Sequence, residues 1–344
     1  MTIAGPPHDE THLTNKPERE FQTHELTVPA SCAGLRLDQA LARLLPDFSR
    51  SRLKDWIDAG RVQVDRRRPK PRDLVMGGER VVVEVEHVAV ETVAAQPIDL
   101  DIVHADASLL VINKPPGLVV HPGAGNRDRT LQNALLHFDA ELAKVPRAGL
   151  VHRLDKDTSG LLVVARTPAA HTALVRQLQA REIERHYEAI CVGVMTAGGT
   201  IDRPIGRHRT DRVRMAIRED GREAVTHYRV LERFRAHTHL RAQLETGRTH
   251  QIRVHLAHIK HALVGDATYG GRLLPPRGAS AELIEALRAF RRQALHAARL
   301  KLTHPGTGRP MEWQAPLPAD MQALLETLRQ DARDLDEQLK EPRR

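Results

Sequence analysis

Within the ten residues VHRLDKDTSG at 151–160, the carboxylates of Asp155 and Asp157 alternate with the cations Arg153 and Lys156. An aspartate with an ordinary pKa of about 3.9 is already ionised at neutral pH. Asp155 therefore needs no general base to act as a nucleophile, and the neighbouring cations favour its anion further. What it needs is removal of water and a fixed aim. The same spacing also suits a plain polar turn, because an Asp beside Thr158, Ser159 and Gly160 commonly accepts hydrogen bonds from backbone amides. It overlaps, too, with the D-x-D-x-T pattern of Mg²⁺-dependent phosphotransferases. That pattern follows an apolar strand, whereas here His152 and Arg153 would place two cations in it, and no later acidic pair supplies a metal site.

A second candidate stretch is LETGRTHQIRVHLAHIKH at 244–261, where Gly247 separates an apolar strand from a segment of helical periodicity. On one continuous helix Thr249 and Arg253 share a face, and His250 neighbours Arg253. His250, His255, His258 and His261 invite a zinc reading, but Arg and Lys are interleaved and no Cys or carboxylate completes a ligand set. Ile252, Val254 and Leu256 imply that the segment is packed. A packed arginine needs an anion, and Asp155 is the candidate. Tyr187, in REIERHYEAIC, is one of only three tyrosines. A strand tyrosine usually belongs to the core, but beside an anion its ring can also stack on a ligand.

The elements that must position these residues follow from periodicity. Leu109–Ile112, a Pro-Pro-Gly turn and Leu118–Val120 predict a hairpin, and Gly160 allows a sharp turn ahead of the apolar strand LLVVA. TPAAHTALVRQLQARE predicts an amphipathic helix with Leu174, Val175 and Leu178 inward, and REIERHYEAICVGV a strand. REDGRE at 218–223 predicts an Asp-Gly hairpin between MAI and AVTHYRVL. Helical patterns return at 280–292 and 318–340, the last so charged that its tail should fray. The fold class expected is α+β, a mixed, mostly antiparallel sheet flanked by helices.

A chain of 344 residues suggests two domains. Residues 1–32 are read as a flexible leader, 33–97 as a small basic module and 98–344 as the larger domain. In the module, Leu37, Leu41, Leu44 and Leu45 predict one helix; Leu53, Trp56 and Ile57 predict another, after Ser49 as N-cap and ending at Gly60. RVQVD and RVVVEVE then read as strands around RRRPKPRD. Arg50, Arg52, Lys54, Arg61, Arg66, Arg67, Arg68, Lys70 and Arg72 crowd this stretch, and the whole chain carries a net charge of +8. Such a run often marks only a solvated face, yet it also suits phosphate. The order of elements in GLRLDQALARLLPDFSRSRLKDWIDAGRVQVDRRR resembles the S4 RNA-binding domain, which implies RNA contacts by Arg50, Arg52, Lys54, Arg66, Arg67 and Arg68. Only Cys32 and Cys191 are present, without metal-site or disulfide-framework spacing. The N-terminus lacks a signal-peptide core and no long apolar run occurs, so a cytoplasmic location is expected.

HRLDKDTSG, with INKPPGLVVHPG and TLQNALLH before it and LETGRTHQIRVHL and LVGDATYGG after it, resembles the RluA-type pseudouridine synthases over about residues 105–315. The resemblance implies isomerisation of uridine to pseudouridine without cofactor or metal. It implies Asp155 as the catalytic aspartate, Tyr187 stacked on the base, Arg253 paired with the aspartate, Ile252 lining the base pocket and Arg153 filling the gap left by a flipped nucleotide. It also implies a monomer acting on large-subunit (23S) ribosomal RNA or its precursor particles, at the hairpin called helix 69. Against this stands a reading from another class, a non-catalytic RNA-binding or ribosome-assembly factor.

Overall fold

The computed structural model describes residues 20–45, 48, 50–87, 93–123, 125–211 and 213–340. Most of the expected leader, the proposed cap Ser49 and the last four residues of the charged tail lie outside the described residues. The chain forms two compact units, 1–92 and 93–344.

In the first unit, β1 (Glu20–Thr27), α1 (Leu37–Leu44), α2 (Arg50–Asp58), β2 (Val62–Val64) and β3 (Arg80–His87) follow in order. The sheet order is β1-β3-β2, antiparallel throughout. Leu37 and Leu41 from α1 meet Leu53, Trp56 and Ile57 from α2, over Val81 and Val83 of β3, and all are buried. The helical spacing of the two leucine sets thus buries one stripe of each helix against the sheet.

The expected leader is too long. Residues 20–27 pair along the whole of β3, with Glu20 opposite His87 and Thr27 opposite Arg80. The apolar alternation of β1 is weak, and its partner lies some sixty residues on, so no local signal marks it. The upper boundary moves as well: Ala94 accepts a hydrogen bond from the Asn133 side chain (2.8 Å) and Gln96 donates to the Asn133 carbonyl (3.0 Å), so 93–97 belong to the second unit.

The second unit contains β4 (Ile102–Ala105), β5 (Leu109–Lys114), α3 (Leu131–Phe138), β6 (Ser159–Ala165), α4 (Pro168–Gln179), β7 (Glu184–Val192), β8 (Gly199–Asp202), β9 (Ile205–Arg207), β10 (Met215–Ile217), β11 (Val225–Arg233), β12 (His237–Leu244), α5 (Gln251–His258), α6 (Ala281–Ala289), β13 (Leu295–Thr303), β14 (Pro310–Gln314) and α7 (Ala319–Lys340). Its large sheet runs β4-β5-β6-β13-β7-β12-β11-β8, with β14 on β13. Among the described strand pairs only β6–β13 is parallel, so the class is α+β with a mixed, mostly antiparallel sheet, as expected. Strand β6 is buried along its whole length.

Gly160 sits inside β6 rather than at a sharp turn before it. Its φ is +112°, and a Cβ there would lie 2.4 Å from the Ala297 carbonyl oxygen of β13. It is the point of close approach that lets β6 pair in parallel with β13.

Two expected hairpins do not form. Residues 118–120 do not return along β5. Instead the fully buried Lys114 ammonium donates to the carbonyls of Pro115 (2.7 Å), Leu118 (2.9 Å) and Lys156 (2.9 Å). The chain after β5 curls around that cation, because a buried ammonium must have its donors satisfied. Residues 218–223 do turn, but β10 pairs with β9 and β11 with β8 and β12. Ile205 exchanges both backbone hydrogen bonds with Arg222, so β9 occupies the edge that a local hairpin would need.

Candidate active site

The 151–158 loop lies between a left-handed segment and β6. Arg147 and Ala148 both adopt positive φ, an arrangement that L-residues sustain only when the surrounding packing imposes it. Downstream, the loop is fastened through both backbone and side-chain groups. The Thr158 amide donates to the Asp155 carbonyl at 3.1 Å, Gln293 donates to the Thr158 hydroxyl at 3.1 Å, and Ser159 bonds His296 at 2.9 Å. Arg292 donates to the Asp157 carbonyl. Thr158 and Ser159 are thus held through their side chains and Asp157 through its carbonyl, and Asp155 is left facing the cleft.

Two further groups hold the loop. Lys114 takes the Lys156 carbonyl, which also accepts from the Gly117 amide at 2.9 Å. Burial pulls the Lys114 ammonium down to about 7, against Asp157 and Asp155, which raise it. His152 accepts from the Val163 amide through Nε2 at 3.2 Å, and enclosure pushes its pKa down to about 3. It is therefore neutral, and Arg153 is the only cation of that pair.

Opposite the loop stands the start of α5. Thr249 and His250 precede the helix rather than share its face with Arg253, because His250 is in the left-handed conformation with φ 57°. Buried Gln251 fixes this start. Its carbonyl oxygen accepts from the Arg248 amide (3.0 Å) and the Thr246 hydroxyl (2.8 Å), and its amide donates to Val225 (3.0 Å) and Thr226 (3.0 Å) of β11. The helix can then deliver Arg253 and Ile252, both buried, into the cleft.

Arg253 joins two carboxylates. Nη1 donates to Asp155 Oδ2 at 3.1 Å, while Nε and Nη2 grip Asp266 at 2.7 and 2.9 Å. Asp266 also accepts from the amides of Thr268 and Tyr269. The expected anion is therefore present, but the stronger, two-pronged partner is Asp266. Burial works against the charge on Arg253, yet Asp266 and then Asp155 hold its pKa above the ordinary value. Burial likewise raises Asp266, and Arg253 outweighs it, leaving the carboxyl below its usual range.

The other Asp155 oxygen lies 3.9 Å from His250 Nε2. Burial lowers the His250 pKa despite the pull of Asp155. His250 Nδ1 in turn lies 2.9 Å from the Tyr269 hydroxyl, and the Arg253 guanidinium stands 5.1 Å from the Tyr269 ring centroid. Asp155 thus has one oxygen held by a cation and the other open to the cleft.

The cleft has a volume of about 630 Å³ and is lined by Asp155, Tyr187, Ile252, Arg253 and Arg153, among others. That volume falls in the range of roughly 300–1,000 Å³ that encloses small organic ligands. Tyr187 and Ile252 supply buried apolar walls, and Arg153 is exposed at the mouth. Burial raises the Tyr187 pKa, so its phenol is neutral at pH 7. The histidines of the zinc reading diverge: His255 bonds Thr226 and Arg203, while His261 bonds Val192. Four residues of the site, Asp266, Tyr269, Lys114 and Gln251, escape the reading of the sequence. Asp266, Tyr269 and Lys114 fall within the quoted motifs LVGDATYGG and INKPPG, but no spacing rule connects them with residue 155.

In the first unit the basic residues divide. Arg50 is committed to buried Asp38, at 2.9 Å, and Lys54 pairs with Asp58 at 2.8 Å. Burial would raise the Asp38 pKa, but hydrogen bonds from Arg50 and Arg36 lower it. Arg66, Arg67 and Arg68 are exposed on the β2–β3 connection. The Arg52 side chain lies outside the described residues.

Comparison with known proteins accords with this geometry. The family model described as RNA pseudouridylate synthase matches residues 108–258, and that of the S4 domain matches 35–81. The chain is 58% identical over 306 residues to ribosomal large subunit pseudouridine synthase D of Escherichia coli (strain K12), covering 89% of this chain and 94% of the relative. It is 59% identical over 304 residues to the protein of the same name from Pseudomonas aeruginosa, covering 88% and 95%. Among solved structures, human RNA pseudouridylate synthase domain containing 4 is 30% identical with a TM-score of 0.52, covering 66% of this chain and 92% of that one. A cleft built around an aspartate and a shared arginine, in an α+β domain with these relatives along nearly its whole length, places the chain in the RNA pseudouridylate synthase family.

Proposed function

We propose that the protein isomerises uridine to pseudouridine in large-subunit ribosomal RNA, with Asp155 as the nucleophile. The observation that carries this reading is the Arg253 bridge, which holds one Asp155 oxygen at 3.1 Å at a cleft walled by Tyr187 and Ile252. A carboxylate held by a cation, aimed and partly dehydrated is what attack at C1′ requires. Asp155 bonds to C1′ as the electron pair of the N1–C1′ bond leaves with the base; the base rotates over the Tyr187 ring, C5 bonds to C1′ and expels the Asp155 carboxylate, and the C5 proton leaves while N1 gains one from solvent. In an alternative route Asp155 takes a ribose proton and a glycal forms. Either route conserves all atoms, and neither needs an added reactant.

The reacting nucleotide must leave its stack, at a cost of a few kcal/mol. Arg153, exposed at the mouth, is placed to fill the gap. The exposed Arg66, Arg67 and Arg68, with Arg52, are the proposed phosphate contacts of the S4 domain. Arg50 and Lys54 contribute less, since each already has an acidic partner. RNA affinity should therefore fall with salt. The specific target is the helix 69 hairpin, modified in the cytoplasm by a monomer. The names borne by the relatives support the rRNA class.

The test is tritium release from [5-³H]uridine-labelled large-subunit rRNA by wild type and Asp155→Asn, with and without EDTA. Wild type should release tritium in both buffers and the variant in neither. Equal release by the two proteins would sink the role of Asp155, and loss with EDTA would revive a metal-dependent reaction. Mapping the product by primer extension after carbodiimide treatment tests the hairpin.

A further inference from the structure

Three cations in the second unit combine deep burial with proximity to the reacting aspartate. Arg253 has Asp266 and Asp155, and Lys114 has three carbonyls. Arg185 has neither: it is 7% exposed, its Nε has no hydrogen-bond partner, and no carboxylate lies within ion-pair distance among the described residues. An uncompensated buried charge costs several kcal/mol. A guanidinium kept in that state is poised for an anion that is not part of the fold.

Its position says which anion. Arg185 and Tyr187 are two residues apart on β7 and so face the same side of the sheet. Both line the Asp155 cleft. The guanidinium lies against Gly247, where a Cβ would come within 2.8 Å of Nη1, so the glycine leaves the space the side chain occupies. RNA phosphates are the natural partners of the exposed arginines 147, 153 and 222 that also line the cleft. Arg185 lies inside, beside the ring on which the base is to stack.

We propose that Arg185 is a further catalytic residue, whose guanidinium binds the uracil carbonyl oxygens and balances the uracil anion released when the glycosidic bond breaks. This rests on the proposed uridine isomerisation. When N1–C1′ cleaves, N1 takes the bonding pair, and the charge spreads to the two exocyclic oxygens. The anion forms whether Asp155 bonds C1′ or removes a ribose proton, so the role is independent of that choice. When C5 bonds to C1′ the negative charge is spent, the C5 proton then leaves as N1 gains one, and Arg185 is again unpaired. The same charge opposes the upward push of burial on the Tyr187 phenol.

The experiment is single-turnover tritium release, with RNA binding measured in parallel, for wild type, Asp155→Asn, Arg185→Gln, Arg185→Lys and Gly247→Ala. Loss of a donor to a developing anion costs on the order of 100-fold or more in rate. Arg185→Gln should slow the single turnover by at least that factor, with RNA affinity and its salt slope unchanged, and Arg185→Lys should recover part of the rate. RNA bearing 5-fluorouridine adds a readout that mere scaffolding would not move. Fluorine stabilises the base anion, so the ratio of wild-type to Arg185→Gln rates, followed by chromatography of nuclease digests, should shrink. An unchanged rate in Arg185→Gln overturns the proposal. So does weaker binding with a shallower salt slope, which would make Arg185 a phosphate ligand, or an unchanged ratio on the fluorinated substrate. Should Arg185→Gln fail to fold, Gly247→Ala displaces the guanidinium without removing it, and an unimpaired rate there counts against the proposal. Inactive wild type would instead defeat the uridine reading. Active wild type with inactive Asp155→Asn and fully active Arg185→Gln would defeat only this one.

Discussion

The substitution Asp266→Asn probes the site through a residue that should never touch the substrate. The asparagine side chain would keep the oxygen that accepts from Thr268 and Tyr269, but it would turn an N–H₂ toward Arg253 Nε, where a carboxylate oxygen now lies at 2.7 Å. Breaking one side of a buried ion pair typically costs about 3–5 kcal/mol. Because Asp155 remains, the lower end, about 3 kcal/mol, is expected. Arg253 would then have Asp155 as its sole carboxylate, and tighter pairing would weaken Asp155 as the proposed nucleophile. A charge-assisted hydrogen bond is worth roughly 1.5–3 kcal/mol, which corresponds to about a 10- to 100-fold slower single turnover. Urea unfolding and tritium release from labelled rRNA read the two effects. A double-mutant cycle with Arg253→Met should show strong coupling in both. Additive losses, or an Asp266→Asn variant within about 0.5 kcal/mol and twofold of wild type, would refute the view that Asp266 positions Asp155 through Arg253.

Lys114→Met removes the ammonium donor to the carbonyls of Pro115, Leu118 and Lys156, of which the last keeps the Gly117 amide. A loss of about 3 kcal/mol is expected, with faster hydrogen exchange at the Thr158 amide; unchanged exchange would show that Lys114 does not hold the loop. Gly160→Ala would drive a Cβ against the Ala297 carbonyl at a φ of +112°; thermal unfolding should reveal a cost of about 3 kcal/mol or more. His237 is buried, and burial pushes its pKa down to about 4. The unfolded chain, titrating near 6.5, binds the extra proton first as pH falls, so stability present above about pH 6.5 is lost toward pH 4, by ~3 kcal/mol for this group. His237→Gln should flatten the pH dependence of the urea midpoint in that window, and an identical slope would exclude His237 as its source.

Where a segment's partner is near in sequence or its apolar period is strong, the fold is legible. The leucine stripes of α1 and α2, the strand at 109–112, the helix from Pro168 and the long C-terminal helix all carry their own pattern. Strand β1 is not legible, because its partner β3 is remote and its alternation faint. The 118–120 strand and the 218–223 hairpin mislead for a common reason: local turn chemistry marks where a chain bends, not which strand it then meets. Lys114 and the inserted β9 decide those pairings.

The site divides along the same line. Sequence alone singled out the candidate side chains: Asp155, a packed Arg253 that must have an anion, and a scarce Tyr187. It left open whether VHRLDKDTSG was a turn or an active site, since both use the same residues. Tertiary structure placed Arg253, 98 residues away, at 3.1 Å from Asp155 and supplied Asp266 as the second carboxylate, an arrangement that supports the active-site reading. It also left Arg185 buried without a carboxylate partner among the described residues. Charge compensation is a property of groups adjacent in space, and only the folded sheet, with β6 and β13 paired in parallel at Gly160, brings these strands and loops together.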